Sequence, residues 1–223
     1  MELAEPMSIT LLTGSGHTSD PWHDFEGAAA ALSPLLATRG SVTVSDEVDA
    51  TLARLPRARP DVLVLCVGDA GTSRRIPGMR ARRGLSRYLE SGGRMLALHS
   101  SATAFPHWPE WQRLLGGRWL PDESFHPPFG PATVHVQGGE PLEVDDERYT
   151  ALLVDPAAEV LAWHEWQGQR HPLSWVHTVG RGLVVYDALG HEPASYSQPD
   201  RVRLLEVELD RLLERPRDPA SGV

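Results

Sequence analysis

The chain of 223 residues contains no lysine and no asparagine, and all 21 of its basic residues are arginine. Without a lysine amine there is no Schiff-base catalysis, and no Walker A loop, whose lysine holds phosphate. Isoleucine is also scarce, with only Ile9 and Ile76. Codon bias accounts for the pattern, and the chemical exclusions hold whatever its cause. A single cysteine, Cys66, rules out an intramolecular disulfide and a cysteine metal cluster. It lies inside D-V-L-V-L-C-V-G, a buried-strand pattern, and reads as a small core residue. Long apolar runs are missing too. The opening M-E-L-A-E-P is acidic and the apolar run after it is short, which fits neither a signal peptide nor a membrane span. A cytoplasmic location is the expectation. With 30 acidic residues against 21 basic ones the formal net charge is -9. That argues against nucleic acid or an anionic membrane as partner, since both need a basic patch.

What is present is enough for a sizeable core, with 41% hydrophobic residues. Continuous strand and helix patterns without a linker predict one domain over 7–215, with 1–6 and 216–223 as flexible termini. Strands are read at 8–13, 41–44, 61–67 and 94–98, and helices at 23–39, 48–55 and 79–90. This β-α alternation predicts a doubly wound, mostly parallel sheet. The second half changes character. A short helix at 108–115 is followed by a proline-rich loop. Strands are then read at 132–136, 160–166, 173–179 and 183–188, with connections short enough for antiparallel pairing. A closing amphipathic helix is read at 199–214.

The stretch R-M-L-A-L-H-S-S (94–101) carries the most information. An apolar strand ends on His99, and the carboxyl end of a strand in an open α/β sheet is where ligands sit. Loops after successive parallel strands converge on one edge, so His99 should neighbour His17 or His23. His191, which follows L-V-V-Y-D-A-L-G, joins them if its strand runs the same way, and His126 lies in the proline-rich loop. Imidazole suits proton transfer near neutral pH and is a common zinc ligand. His23, His99 and His191 are therefore the candidate metal ligands, with Asp24 and Glu147 as candidate carboxylates and Asp20 as the helix cap. No compact signature such as H-E-x-x-H is present, so metal binding, acid/base chemistry and loop hydrogen bonding all stay open. Most tryptophans read as core, and Trp175 is the one kept as a pocket wall. The arginines Arg74, Arg75, Arg80, Arg82 and Arg83 read as a solvated helix face, with contact to an anionic ligand as the sharper alternative. Gly14-Ser15-Gly16 does not complete G-x-G-x-x-G, because Ser19 stands at the third glycine position, so a dinucleotide is not supported.

Several of these segments together resemble the trehalose-utilisation ThuA-like family. They are T-G-S-G-H-T-S-D-P-W-H-D-F, L-A-L-H-S-S-A-T-A-F, W-P-E-W-Q-R-L-L-G-G, His126-Pro127, D-E-R-Y, P-L-S-W and G-R-G-L-V-V-Y-D-A-L-G-H-E. The resemblance implies a class I glutamine amidotransferase-like fold, which is a flavodoxin-like sheet with added strands. It also implies a place in disaccharide or oxidised-sugar metabolism. The matching site positions are His23, His99, His126, Glu147, Trp175, Arg181 and His191. Of these, His99, His191 and Glu147 are expected to be catalytic, and His23, His126, Trp175 and Arg181 to bind a small-molecule saccharide. Amidotransferases carry a cysteine where this chain carries His99, so that activity is not expected. The leading expectation is a sugar isomerase, lyase or hydrolase, with zinc or another divalent ion as the cofactor to test and self-association left open. The alternatives are a non-catalytic carbohydrate-binding or regulatory protein, and a serine hydrolase using Ser100 or Ser101 with His191 and Asp187 or Glu192. The hydrolase lacks the G-x-S-x-G context.

Overall fold

A computed structural model describes residues 6–69 and 75–214. Strand β1 (Met7–Thr13) leads through helix α1 (Phe25–Ala37) to β2 (Gly40–Ser45). Helix α2 (Val48–Ala58), β3 (Val62–Cys66), α3 (Met79–Glu90) and β4 (Arg94–Leu98) follow. The expected β-α alternation holds throughout this half. Every residue of β3 is buried, as a strand covered on both faces requires. Val62 and Val64 face α1, among Phe25, Leu32 and Leu36, while Leu63 and Leu65 face α2 and α3, among Leu52, Leu55 and Leu85. The two cores therefore alternate residue by residue along one strand.

Helix α4 (Pro109–Leu115), the short pair β5 (Gly117–Arg118) and β8 (Leu153–Val154), and the strands β6 (Gly130–Val136), β7 (Leu142–Asp146), β9 (Glu159–Trp166), β10 (Gln169–Val179) and β11 (Gly182–Asp187) make up the second half. Helix α5 (Pro199–Leu213) closes the described chain. The large sheet runs β2-β1-β3-β4-β11-β10-β9-β6-β7. Pairings from β2 to β11 are parallel and those from β11 to β7 antiparallel. The first five strands follow the flavodoxin-like 2-1-3-4-5 order, and the antiparallel strands extend it. No described helix is long and apolar enough to cross a membrane. Apart from Pro6, the expected flexible termini fall outside the described residues, as does Arg74.

Direction explains the position of the site. β1, β3, β4 and β11 are parallel, so their carboxyl ends share one edge. Four antiparallel steps separate β11 from β7, an even number, so β7 also ends at that edge. The outer strand closes back over α5, where the Glu143 amide donates to Asp200 and the Asp145 amide to Gln198. The residues after β7 thereby reach those after β11.

Candidate active site

His99 follows β4 directly and adopts φ 38°, a left-handed conformation that costs a non-glycine residue about 1–3 kcal/mol. The turn is over-determined by its neighbours. Tyr186 Oη donates to the His99 carbonyl at 2.8 Å, Ser100 Oγ to the Val67 carbonyl and Ser101 Oγ to the Leu65 carbonyl. The two serines thus have buried structural partners, which removes them as hydrolase nucleophiles. Cys66 is buried at the end of β3, and burial pushes its thiol up to about 12. His99 Nδ1 lies 2.7 Å from the Ala188 carbonyl. A carbonyl only accepts, so Nδ1 carries the proton and Nε2 holds the lone pair.

His23 is oriented in the same way. Its Nδ1 lies 2.7 Å from Asp20 Oδ1, and the backbone amides of Trp22 and His23 donate to that same oxygen. The ion pair holds the Asp20 carboxyl below its usual range against the opposing effect of burial. The roles expected for the two acids near this helix are exchanged. Asp24 caps α1 by accepting from the Gly27 amide, while Asp20 holds the imidazole. A carboxylate or carbonyl behind each imidazole is the arrangement found behind metal-bound histidines.

Glu147 follows β7 and sits at the centre. Its Oε1 lies 3.6 Å from both His99 Nε2 and His191 Nδ1, and its Oε2 lies 3.1 Å from His126 Nδ1. Burial pushes this carboxyl up, but contact with His99 and the charges of His99, His191 and His126 outweigh it and hold it below the usual range. Burial first, then the neighbouring His99 and His23, depress His191 despite Glu147 beside it. His191 is therefore neutral at neutral pH, the form that binds metals or accepts protons. His23, His99, Glu147 and His191 each offer one ligand atom, all within 4.8 Å of one another. The ring atoms concerned, His23 Nε2, His99 Nε2 and His191 Nδ1, are buried with no hydrogen-bond partner. A tetrahedral ion with bonds of ~2.1 Å sets its ligands about 3.4 Å apart, close to the two 3.6 Å separations from Glu147. The donor set fits a divalent cation.

His23, Glu147 and His191 line a cleft of about 530 Å³ whose walls include Trp22, Trp119, Thr103 and Tyr149, with His99 buried behind it. The Tyr149 ring lies over His99, centroids 4.1 Å apart, and burial raises its hydroxyl so that it stays protonated. Two expected site residues lie elsewhere. Trp175 is core: its indole packs on Tyr186 and donates to the Leu115 carbonyl. Arg181 sits in the β10–β11 turn, at the opposite edge of the sheet from His99, where its guanidinium reaches the Ser91 carbonyl. Arg181 rests on the resemblance alone and Trp175 on its residue type as well, and neither has a local pattern tying it to the strand ends. The aromatic walls are instead Trp22 and Trp119. Trp22 is the more legible of the two, being 67% exposed one position before His23. Asp20, Asp146 and Tyr149 were also missed as site residues, although Asp146 and Tyr149 flank Glu147.

A family model described as trehalose utilisation, ThuA, matches residues 11–207. A ThuA-like protein from Parabacteroides merdae superposes with TM-score 0.76 at 14% identity, covering 96% of this chain and 92% of that one. Another, from Bacteroides uniformis, gives 0.72 at 15%, covering 99% and 96%. A β-galactosidase from Bacillus circulans sp. alkalophilus contains a similar portion, with TM-score 0.63 at 12% identity, over 95% of this chain and 32% of that one. No curated protein matches by sequence. These structural likenesses are of fold, whereas the family model covers most of the sequence: the chain belongs to the ThuA, trehalose utilisation, family.

Proposed function

We propose that this protein is a carbohydrate enzyme acting on a disaccharide or oxidised (keto) sugar, through a divalent metal site formed by His23, His99, Glu147 and His191. The observation that carries this reading is the convergence of three buried imidazole nitrogens without hydrogen-bond partners on one carboxylate. The sugar class comes from the family description, and the exposed Trp22 at the cleft offers the flat apolar face on which a sugar ring stacks. A bound divalent ion, zinc being an ordinary match for these donors, supplies Lewis-acid polarisation of a carbonyl.

The chain's own groups provide the proton transfer. His126 is the most exposed histidine of the cluster, at 46%. Its Nδ1 faces two acceptors, Glu147 Oε2 at 3.1 Å and the Pro127 carbonyl at 3.3 Å. Nδ1 therefore carries the proton and Nε2 is the basic atom. A proton α to a keto group is acidified by the carbonyl, so a neutral imidazole is strong enough to take it. His126 is thus the proposed base, and Glu147 holds the ring. Tyr149, kept protonated, is a hydroxyl donor on the same wall. The elbow histidine and the buried Cys66 leave this reading without amidotransferase chemistry.

The test is the metal content of untagged protein by elemental mass spectrometry, with His99→Ala alongside. Near-stoichiometric divalent metal in the native protein, lost in the variant, is the expected result. Protein that stays metal-free after incubation with zinc, manganese and cobalt would overturn the metal site. Turnover of a keto-sugar surviving in a His99→Ala/His191→Ala double variant would overturn the site altogether. A saccharide-binding protein without turnover would use the same cleft and Trp22, and it would show binding with no product after long incubation.

A further inference from the structure

We infer that Asp146 is the positioning residue of this site, its carboxylate fastening the segment that delivers Glu147 to the segment that delivers His191. Asp146 ends β7 and is fully buried. Its Oδ1 accepts the backbone amides of Glu147 at 2.8 Å and His191 at 3.1 Å, and its Oδ2 accepts that of Gly190 at 2.8 Å. No ladder joins β7 to β11, which lie four places apart in the sheet. Hydrogen bonds from Glu143 to Asp200 and between Asp145 and Gln198 tie β7 to the start of α5, but the bonds into the Asp146 carboxylate are the ones that reach the Glu147, Gly190 and His191 backbone itself. Charge-assisted bonds of this kind are about twice as strong as neutral ones, and here three of them converge on one buried anion.

The local chain is shaped for the clamp. Gly190 adopts φ 110°, and a Cβ there would come within 2.1 Å of Tyr196 Oη, so glycine is what lets this amide turn toward Asp146. All three partners are donors, and only a carboxylate offers two acceptor atoms with no proton between them. Asparagine at 146 would set an amide NH₂ against a backbone N–H. Glutamate would add a methylene in a place with no room.

The affinity arm of the test rests on the metal reading above, and the exchange arm does not. Native-state hydrogen exchange by NMR on the unaltered protein should show the Glu147, Gly190 and His191 amides opening together, with matching protection, although they come from distant segments. Asp146→Asn should remove that protection at all three. Cobalt(II) titration followed by absorbance should show affinity about ten- to a hundred-fold weaker in Asp146→Asn. It should be unchanged in Leu52→Ala, a destabilising core control in α2. Three amides exchanging independently in the native protein would overturn the clamp, as would native-like cobalt affinity in Asp146→Asn or an equal loss in Leu52→Ala. If the native protein takes up no cobalt, the metal reading falls alone and the native exchange pattern still decides the clamp. It also decides if Asp146→Asn fails to fold.

Discussion

At the scale of single residues, the histidines were legible because a strand end is a place as well as a pattern. His23, His99 and His191 follow β1, β4 and β11, and parallel strands bring their ends together. What lay beyond sequence was which acid serves which ring. Asp20 and Asp24 sit on either side of His23, and only the backbone path shows that one caps a helix while the other holds an imidazole. Not every histidine is a site. His164 is buried outside the cleft, with Nε2 3.1 Å from Thr150 Oγ1. Burial, with the charges of Arg148 and His171, depresses it from 6.5 to about 4. Between pH 6.5 and 4 the unfolded chain therefore takes up a proton that the native state refuses, and stability falls as pH falls through that window. A shift of this size corresponds to about 3 kcal/mol in full. His164→Gln keeps the hydrogen bond to Thr150 without titrating. Its melting temperature should fall less steeply than the native protein's from pH 7 to 4, and parallel curves would refute the assignment.

At the scale of elements, periodicity located most of the fold. Helix α3 and strand β4 lie at the positions read from sequence, and the other long elements shift by a few residues. The misses have physical causes. Strand β7, L-E-V-D-D, alternates buried and exposed, but its three acids disguise it as a loop, and it is an edge strand paired with β6. Strand β10 starts at Gln169, four residues before the expected position. The turn at Gln167 and Gly168, with φ 51° and 74°, is tight enough to pair the strands at once, and Pro172 is tolerated because the register shifts beside it. The close approach of α3 to α2 depends on Gly84, where a Cβ would lie 2.1 Å from the Leu52 carbonyl of α2. Gly84→Ala should push the two helices apart and cost about 1–3 kcal/mol in urea unfolding, with metal uptake unaltered. A variant as stable as the native protein would show that the contact relaxes freely.

At the scale of the whole molecule, the parallel and antiparallel halves of the sheet meet at β11, and α5 is pinned there by charge. Arg201 reaches Asp187 in a fully buried ion pair, with Glu208 buried beside them. Asp187 takes the guanidinium, and the Glu208 carboxyl lies buried nearby without an ion pair to it. Burial and the nearby Asp187 raise Glu208 well above the usual range, so it is held as the neutral acid. Arg201→Met should strand a buried Asp187 charge and cost about 3–5 kcal/mol. Glu208→Gln, which replaces one neutral group with another, should stay within about 1 kcal/mol of native. Denaturant titration of both variants checks the pair, and equal losses would refute the proton placement. Because Asp187 opens the turn that leads to Ala188 and His191, this pin also supports the cleft. The cleft has a further consequence for the chain as a polymer. Its four donors come from stretches dozens of residues apart, so an ion held by all of them would act as a cross-link closing several long loops at once. Such a tie restricts the unfolded ensemble and rewards only the folded one. Heat and protease resistance would then report occupancy with no substrate in hand.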